Sequence, residues 1–251
     1  MDLGISGRRA AVAAASAGLG FGCARALARE GARVALCGRR PDRVDAAVAT
    51  LRAAGGDAVG LVADVSEAEG CGAFVANAME ALGGVDILVT NAGGPPAGTF
   101  ASTDLAAYPP ALGLNLLSTV AMCKAAVPAM AERGWGRVVA ITSATVRQPS
   151  PILILSNTAR AGATAFLKTL ATEVAPRGVT VNSVQPGLHA TERLAQLYGG
   201  DLSAAAATVP VGRLGDPGDF GDAVAFLCSE QARFITGTAV WIDGGAYPGL
   251  M

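Results

Sequence analysis

The chain has no block of positive charge. Its 19 basic and 20 acidic residues leave a formal net charge of -1, so it lacks the electrostatic footprint of non-specific nucleic-acid binding. It has one histidine, His189, and its five cysteines (Cys23, Cys37, Cys71, Cys123 and Cys228) include no C-x-x-C pair. No disulfide framework or metal site is expected from such spacing. The cysteines read as small buried hydrophobes in a reducing cytoplasm. The first nine residues, "MDLGISGRR", lack a basic stretch leading into an apolar one, so no secretory leader is expected. No uninterrupted apolar run reaches the roughly 20 residues that cross a bilayer, and no membrane partner is expected. Only 16% of residues are charged and 51% are apolar, a balance that excludes general disorder. A chain of 251 residues suits one large α/β domain or two small ones and buries about three quarters of its unfolded surface.

What is present is alternation. β-type runs occur at Arg9–Ala14, Val34–Cys37, Ala58–Val62, Asp86–Thr90, Arg137–Thr142, Thr180–Val184 and Ala239–Ile242. Between them lie helical stretches at Gly20–Glu30, Pro41–Ala53 (proline in the first turn), roughly Leu105–Arg133 in two pieces, and Ser156–Ala175. A capping box at Ser66–Glu69 is expected to open another helix ending near Leu82, and "GDPGD" at Gly215–Asp219 to cap one running through Cys228. The strand runs are apolar with little alternation, as in strands covered on both faces of a parallel sheet. The expectation is an α/β fold: a doubly wound parallel sheet in a single Rossmann-type domain spanning residues 1–251, with its ligand at the C-terminal strand ends. No repeat or Pro/Gly-rich linker divides the chain.

The first strand runs into "AAASAGLGFG", Ala13 to Gly22. Ser16, Gly18, Leu19 and Gly20 stand where a backbone approaches a pyrophosphate and enters a helix whose N-terminal N–H groups bind anions. After the second strand no acid is present to take the ribose hydroxyls of NAD; Gly38 is followed by Arg39 and Arg40. A guanidinium fork matches the 2′-phosphate of NADP, so NADP(H) is the expected cofactor. Ala17 stands where a second basic residue would strengthen that preference.

Here the chain resembles the short-chain dehydrogenase/reductase family, in particular its 3-oxoacyl-(acyl-carrier-protein)-reductase-like members. Ala14-x-x-x-Gly18-x-Gly20 is similar to the family's T-G-x-x-x-G-x-G turn, with alanine at the first glycine. Asp64 and Val65 resemble its adenine-side pair, and Asn91 and Gly93 its N-A-G turn. Asn115 resembles the helical asparagine, and Ser143 the serine after the fifth strand. Pro186, Gly187, Leu188 and Thr191 resemble the P-G loop that receives the nicotinamide amide, and Phe234–Gly245 the final strand region. The resemblance spans essentially the whole chain.

In that family a Y-x-x-x-K pair drives the chemistry, the tyrosine exchanging a proton with the substrate and the lysine lowering its pKa while holding the ribose. Thirteen residues beyond Ser143 stands Ser156, and four further on Arg160, in "ILSNTARAG". The resemblance therefore places serine for tyrosine and arginine for lysine, one helical turn apart on one face. The three tyrosines, Tyr108, Tyr198 and Tyr247, lie far from this register. A serine hydroxyl is a far weaker acid than a phenol, and arginine stays protonated, so Arg160 is expected to hold the cofactor's ribose hydroxyls or the developing oxyanion without relaying a proton. Candidate proton donors are water, the substrate itself, or His189 on the P-G loop. Relatives with Y-x-x-x-R, the halohydrin dehalogenases, keep the tyrosine and lack the glycine turn, the reverse of this pattern.

The resulting expectation is an atypical NADP(H)-dependent oxidoreductase acting on a small-molecule carbonyl. Asn115, Ser143, Ser156 and Arg160 form its reacting end, and the segment 191–210 its substrate lid. Two alternatives stay open: a nucleotide-binding protein without redox chemistry, and a lyase or dehydratase in the same cleft. The resemblance also implies a homotetramer or homodimer built on the helices spanning Leu116–Arg133 and Ser156–Ala175.

Overall fold

A computed structural model describes residues 2–250. Seven parallel strands form one sheet in the order β3-β2-β1-β4-β5-β6-β7: β1 (Arg9–Val12), β2 (Arg33–Gly38), β3 (Ala58–Val62), β4 (Ile87–Thr90), β5 (Gly136–Ile141), β6 (Val179–Pro186) and β7 (Ala239–Ile242). Each consecutive pair is joined by a crossover, as parallel strands require. The central register pairs Ala11 with Ala35 on one side and with Leu88 on the other. The strand order reverses between β1 and β4, which opens a crevice at their C-terminal ends.

Two apolar layers sandwich the sheet, as the unalternating strands imply. One contains Ile5, Leu27, Leu36, Ile87 and Val184, packed with α1 (Gly18–Arg29) and α9 (Pro217–Leu227). The other holds Phe74, Leu88, Met130 and Val181, under α3 (Ala68–Leu82), α5 (Ser118–Glu132) and α6 (Ile154–Val174). α2 (Pro41–Ala53) completes the first layer through Val44 and Leu51. All five cysteines are buried free thiols, and burial pushes those of Cys37, Cys123 and Cys228 up to about 12.

The capping box at Ser66–Glu69 does not form. α3 begins at Ala68, and Glu67 before it makes no side-chain cap. The Ser66 N–H is instead accepted by Asp64 Oδ1 at 3.0 Å; a local Asx turn has taken the donor that a cap would have organised. The other expected cap is present: Asp216 accepts from the Gly218 N–H at 2.6 Å. The Leu105–Arg133 region is one run from Leu105 to Glu132, with α4 (Tyr108–Leu112) and α5 joined by a π turn at Gly113–Leu117. By length and composition that run could cross a membrane, but half of its most apolar window is buried inside the protein, and Pro109, Pro110, Lys124 and Pro128 interrupt it.

Candidate cofactor cleft and reacting end

The crevice is built from the turn after β1. Ala14, where a glycine would be unstrained, sits at φ 46°, the one non-glycine residue with positive φ among the described residues. The left-handed conformation costs an alanine about 1–2 kcal/mol. Three bonds hold it: Ala15 N–H to the Cys37 carbonyl at 2.7 Å, Ala14 N–H to Cys37 Sγ at 3.4 Å, and Asn91 Nδ2 to the Ala14 carbonyl at 3.1 Å. Gly18 follows at φ 60°, and the place where its side chain would stand is 3.7 Å from the Thr191 methyl. This leaves a slot between the β1 turn and the loop after β6. α1 opens onto that slot with no side-chain cap, so its first N–H groups are available to an anion. Leu19 packs on the core behind it; Gly20, in the first turn, is itself buried.

At the β2 end of the crevice, Ser16 Oγ lies against Gly38. The two arginines that follow are not equivalent. Arg40 forks onto its own neighbour Asp42 at 2.5 and 3.2 Å. Arg39 has no ion-pair partner among the described residues, and its charge helps the Ser66 N–H hold the Asp64 carboxyl below its ordinary range. Val65 is buried in the core beside Cys71.

At the other end, Asn115 sits in the π turn, buried, and donates Nδ2 to the Gly93 carbonyl at 2.8 Å while its Oδ1 has no partner. A side chain added at Gly93 would meet nothing within 4 Å, so this turn borders open space. β6 ends at Pro186; Gly187 and Leu188 lead to Thr191, which caps α7 (Glu192–Leu197) by accepting the Leu194 N–H at 3.2 Å.

Ser143 follows β5 directly. Its Oγ accepts the Thr145 N–H at 3.1 Å and lies 2.9 Å from the Thr145 hydroxyl. Ser156 occupies the first turn of α6, is 9% exposed, and has no side-chain hydrogen bond among the described residues. One turn on, Arg160 Nη1 donates to the Ile141 carbonyl that ends β5, at 2.9 Å, and to the carbonyl of the next residue, Thr142, at 3.0 Å. Burial first, and then the charge of Arg193, lower its pKa to about 10. It remains a cation at neutral pH. His189 is enclosed instead: it stands edge-on to Phe220 at 5.2 Å, with Nδ1 3.3 Å from the Gly187 carbonyl, and burial lowers its pKa. That packing argues against His189 as the proton carrier.

Two cleft residues escaped the sequence reading. Arg193, on the first turn of α7, donates Nη2 to the Pro95 carbonyl at 2.8 Å. Its neighbour Glu192 pairs with Arg43 of α2 at 2.8 Å. The only sequence signal was a charged pair directly after Thr191; which wall each would reach depends on the fold.

The residues present fit a dinucleotide: a glycine-lined slot, an uncapped helix N-terminus, an arginine at the β2 end with no ion-pair partner among the described residues, and open space beside the Gly93 turn. A family model described as enoyl-(acyl carrier protein) reductase matches residues 13–247. Dehydrogenase/reductase SDR family member 4 of Homo sapiens is 38% identical over 244 residues, covering 96% of this chain and 88% of that one.

The chain belongs to the short-chain dehydrogenase/reductase family.

It is an NAD(P)-dependent oxidoreductase of that family. Among similar proteins, nodulation protein G of Azospirillum brasilense is 37% identical over 96% of this chain and 98% of its own. The solved L-sorbose reductase from Gluconobacter frateurii, complexed with NADPH and L-sorbose, superposes over the whole of both chains with a TM-score of 0.93 at 33% identity. A 3-oxoacyl (acyl-carrier-protein) reductase from Agrobacterium tumefaciens C58 with NADP bound gives 0.91 at 33% identity, covering 97% of this chain and 95% of that one.

Proposed function

We propose that this family member is an atypical reductase that prefers NADP(H) and acts on a small-molecule carbonyl without a tyrosine acid. The observation that carries the reading is the reacting end itself. Ser156 presents a hydroxyl with no protein partner one turn from a guanidinium tied to the end of β5. Bound NADPH supplies the hydride. The chain's own part is to receive the nucleotide and to steady the oxygen that becomes negative. Gly18, Thr191 and the α1 N-terminus would hold the pyrophosphate, Arg39 the 2′-phosphate, and Asn91, Gly93 and the Pro186–Leu188 loop would receive the nicotinamide. Ser143 Oγ and Ser156 Oγ donate to the substrate oxygen, and Arg160 adds fixed positive charge, which is strongest where water is excluded. With His189 enclosed and Arg160 locked as a cation, the proton comes from water or from the substrate.

The lid role of segment 191–210 belongs to the same proposal. It contains α7 and α8 (Ser203–Ala207) and is anchored across the cleft by Glu192 and Arg193. A cytoplasmic location is proposed on the five buried free thiols. A second reading, nucleotide binding without redox chemistry, draws support from the missing phenol. Calorimetric titration with NADPH and NADH, followed by NADPH oxidation against a ketone and aldehyde panel, separates the readings. Tight NADPH binding with turnover of any carbonyl supports the reductase; tight binding with none favours the second reading; no nucleotide binding refutes both.

A further inference from the structure

Two guanidinium groups serve the same end of the cleft from different walls, and neither has a carboxylate partner among the described residues. Arg160 rises from α6 and uses Nη1 on the Ile141 and Thr142 carbonyls, leaving Nε and Nη2 with no acceptor among the described residues. Arg193 reaches over from α7 and lies across the turn after β4. Its Nη2 donates to the Pro95 carbonyl at 2.8 Å. A Cβ on Gly94 would stand 3.2 Å from Nη2 and 3.3 Å from Nε, so glycine at 94 makes room for the arginine. The nearest acid in sequence, Glu192, is committed elsewhere, to Arg43 at 2.8 Å. The two charges sense one another, since Arg193 adds to the burial that depresses the pKa of Arg160.

Two like charges near enough to influence one another, neither with a carboxylate partner among the described residues, disfavour each other, and an anion relieves both. Two anions could do so, the pyrophosphate of the nucleotide and an acidic group on the substrate. The pyrophosphate already has its own donors at the Gly18–Thr191 slot and the uncapped α1 N-terminus. Arg160 hangs from the end of β5 next to Ser143, and Arg193 bridges to Pro95, beyond the Gly93 turn. Both therefore border the reacting end. We propose that Arg193 is a specificity residue that pairs with a carboxylate on the substrate, so that the protein takes oxo acids in preference to neutral ketones. This rests on the reductase reading only for the carbonyl; the anion preference stands on the two arginines. A guanidinium fork can bind a carboxylate bidentately, which gives orientation as well as affinity.

The test is a binding experiment on full-length protein saturated with NADP+, which cannot turn over an oxo compound. The probes are 2-oxobutanoate against methyl 2-oxobutanoate, and benzoylformate against its methyl ester, titrated by calorimetry into wild type, Arg193→Gln and Arg193→Lys. Wild type should bind at least one acid about tenfold or more tighter than its ester. Arg193→Gln should weaken that acid by about ten- to a hundredfold, the range for a hydrogen bond to a charged group. Its ester and NADP+ affinities should stay within about twofold, and Arg193→Lys should recover part of the loss. Equal affinity for acid and ester in wild type, including no binding of either, overturns the proposal. So does a loss in Arg193→Gln that falls on NADP+, which would make Arg193 a phosphate ligand. The reductase reading is judged separately: acid-selective binding without NADPH oxidation upholds the arginine assignment and sinks the reductase.

Discussion

Replacing Ser156 by tyrosine and Arg160 by lysine together tests whether the cleft still has reductase geometry. A phenol ordinarily ionises near 10. A cation about 5 Å away, at an effective dielectric of about 20, stabilises the phenolate by about 3 kcal/mol, or about two pKa units. The cation therefore lowers the installed tyrosine's pKa, against the opposing effect of burial, and moves it toward the range of a general acid at neutral pH. Such catalysis contributes about 10²–10⁴-fold, and that is the gain expected in NADPH oxidation with simple ketones. Ser156, 9% exposed, has no side-chain hydrogen bond to lose among the described residues, so the cost of the larger side chain is mainly packing, about 1–3 kcal/mol. Lysine at 160 gives up a guanidinium held by two carbonyls at 2.9 and 3.0 Å, but its ammonium keeps the charge. Ser156→Tyr alone should gain less than the pair, because Arg160, with its pKa at about 10, remains a cation but stays tethered to β5. The assay is NADPH absorbance against the ketone panel, with melting curves and NADPH calorimetry on every variant. A double variant that folds, binds NADPH and gains less than about tenfold would refute the reasoning. So would a wild type already fast on simple ketones.

Arg39→Asp removes the one unpaired arginine at the β2 end and adds repulsion, so NADPH affinity should fall at least about tenfold while NADH affinity holds or rises. Calorimetry showing equal affinity for both nucleotides in the unmodified protein would contradict the assignment. Asp86 is 4% exposed and accepts from Arg9 Nε at 2.7 Å, Arg9 Nη2 at 2.6 Å and the Arg9 N–H at 3.1 Å. Burial alone would raise its pKa, but the Arg9 bonds outweigh that and hold it below the ordinary carboxylate range. Its contribution is thus present above about pH 4 and is lost as pH falls through the lowered folded value. Asp86→Asn should cost about 2–3 kcal/mol at pH 7, a drop in Tm of about 5–10 °C; thermal melts should show the gap narrowing in acid. Phe100, Leu105 and Ile152 are 85%, 84% and 57% exposed, and covering such apolar surface favours association. Sedimentation should show a homodimer or homotetramer at micromolar concentration, and a monomer would contradict this.

The elements of the fold were legible because each is coded locally. α2, β3 and β7 have the bounds read from their runs, since proline at a first turn and short apolar runs between glycines constrain the backbone without help from distant residues. The Ser66–Glu69 pattern does not form a capping box because the side chain of Asp64, two residues upstream, competes for the Ser66 N–H, and the pattern alone does not rank the two. The π turn at Gly113–Leu117 was invisible for a related reason. It is an irregularity within one helix, and it leaves Asn115 bonded to Gly93.

Sequence alone determined the fold class and the family, and it displays the glycine-bearing turn after β1 and the four-residue spacing of Ser156 and Arg160, because these reside in residue type and order. Tertiary structure decided what each charged group does. Arg40 is neutralised by Asp42 while Arg39 stays free; His189 is packed against Phe220; Glu192 and Arg193, adjacent in the chain, reach Arg43 and Pro95. A long side chain's partner is set by which distant elements lie within about 3 Å of its end, and such distances exist only once the sheet and its helices have come together.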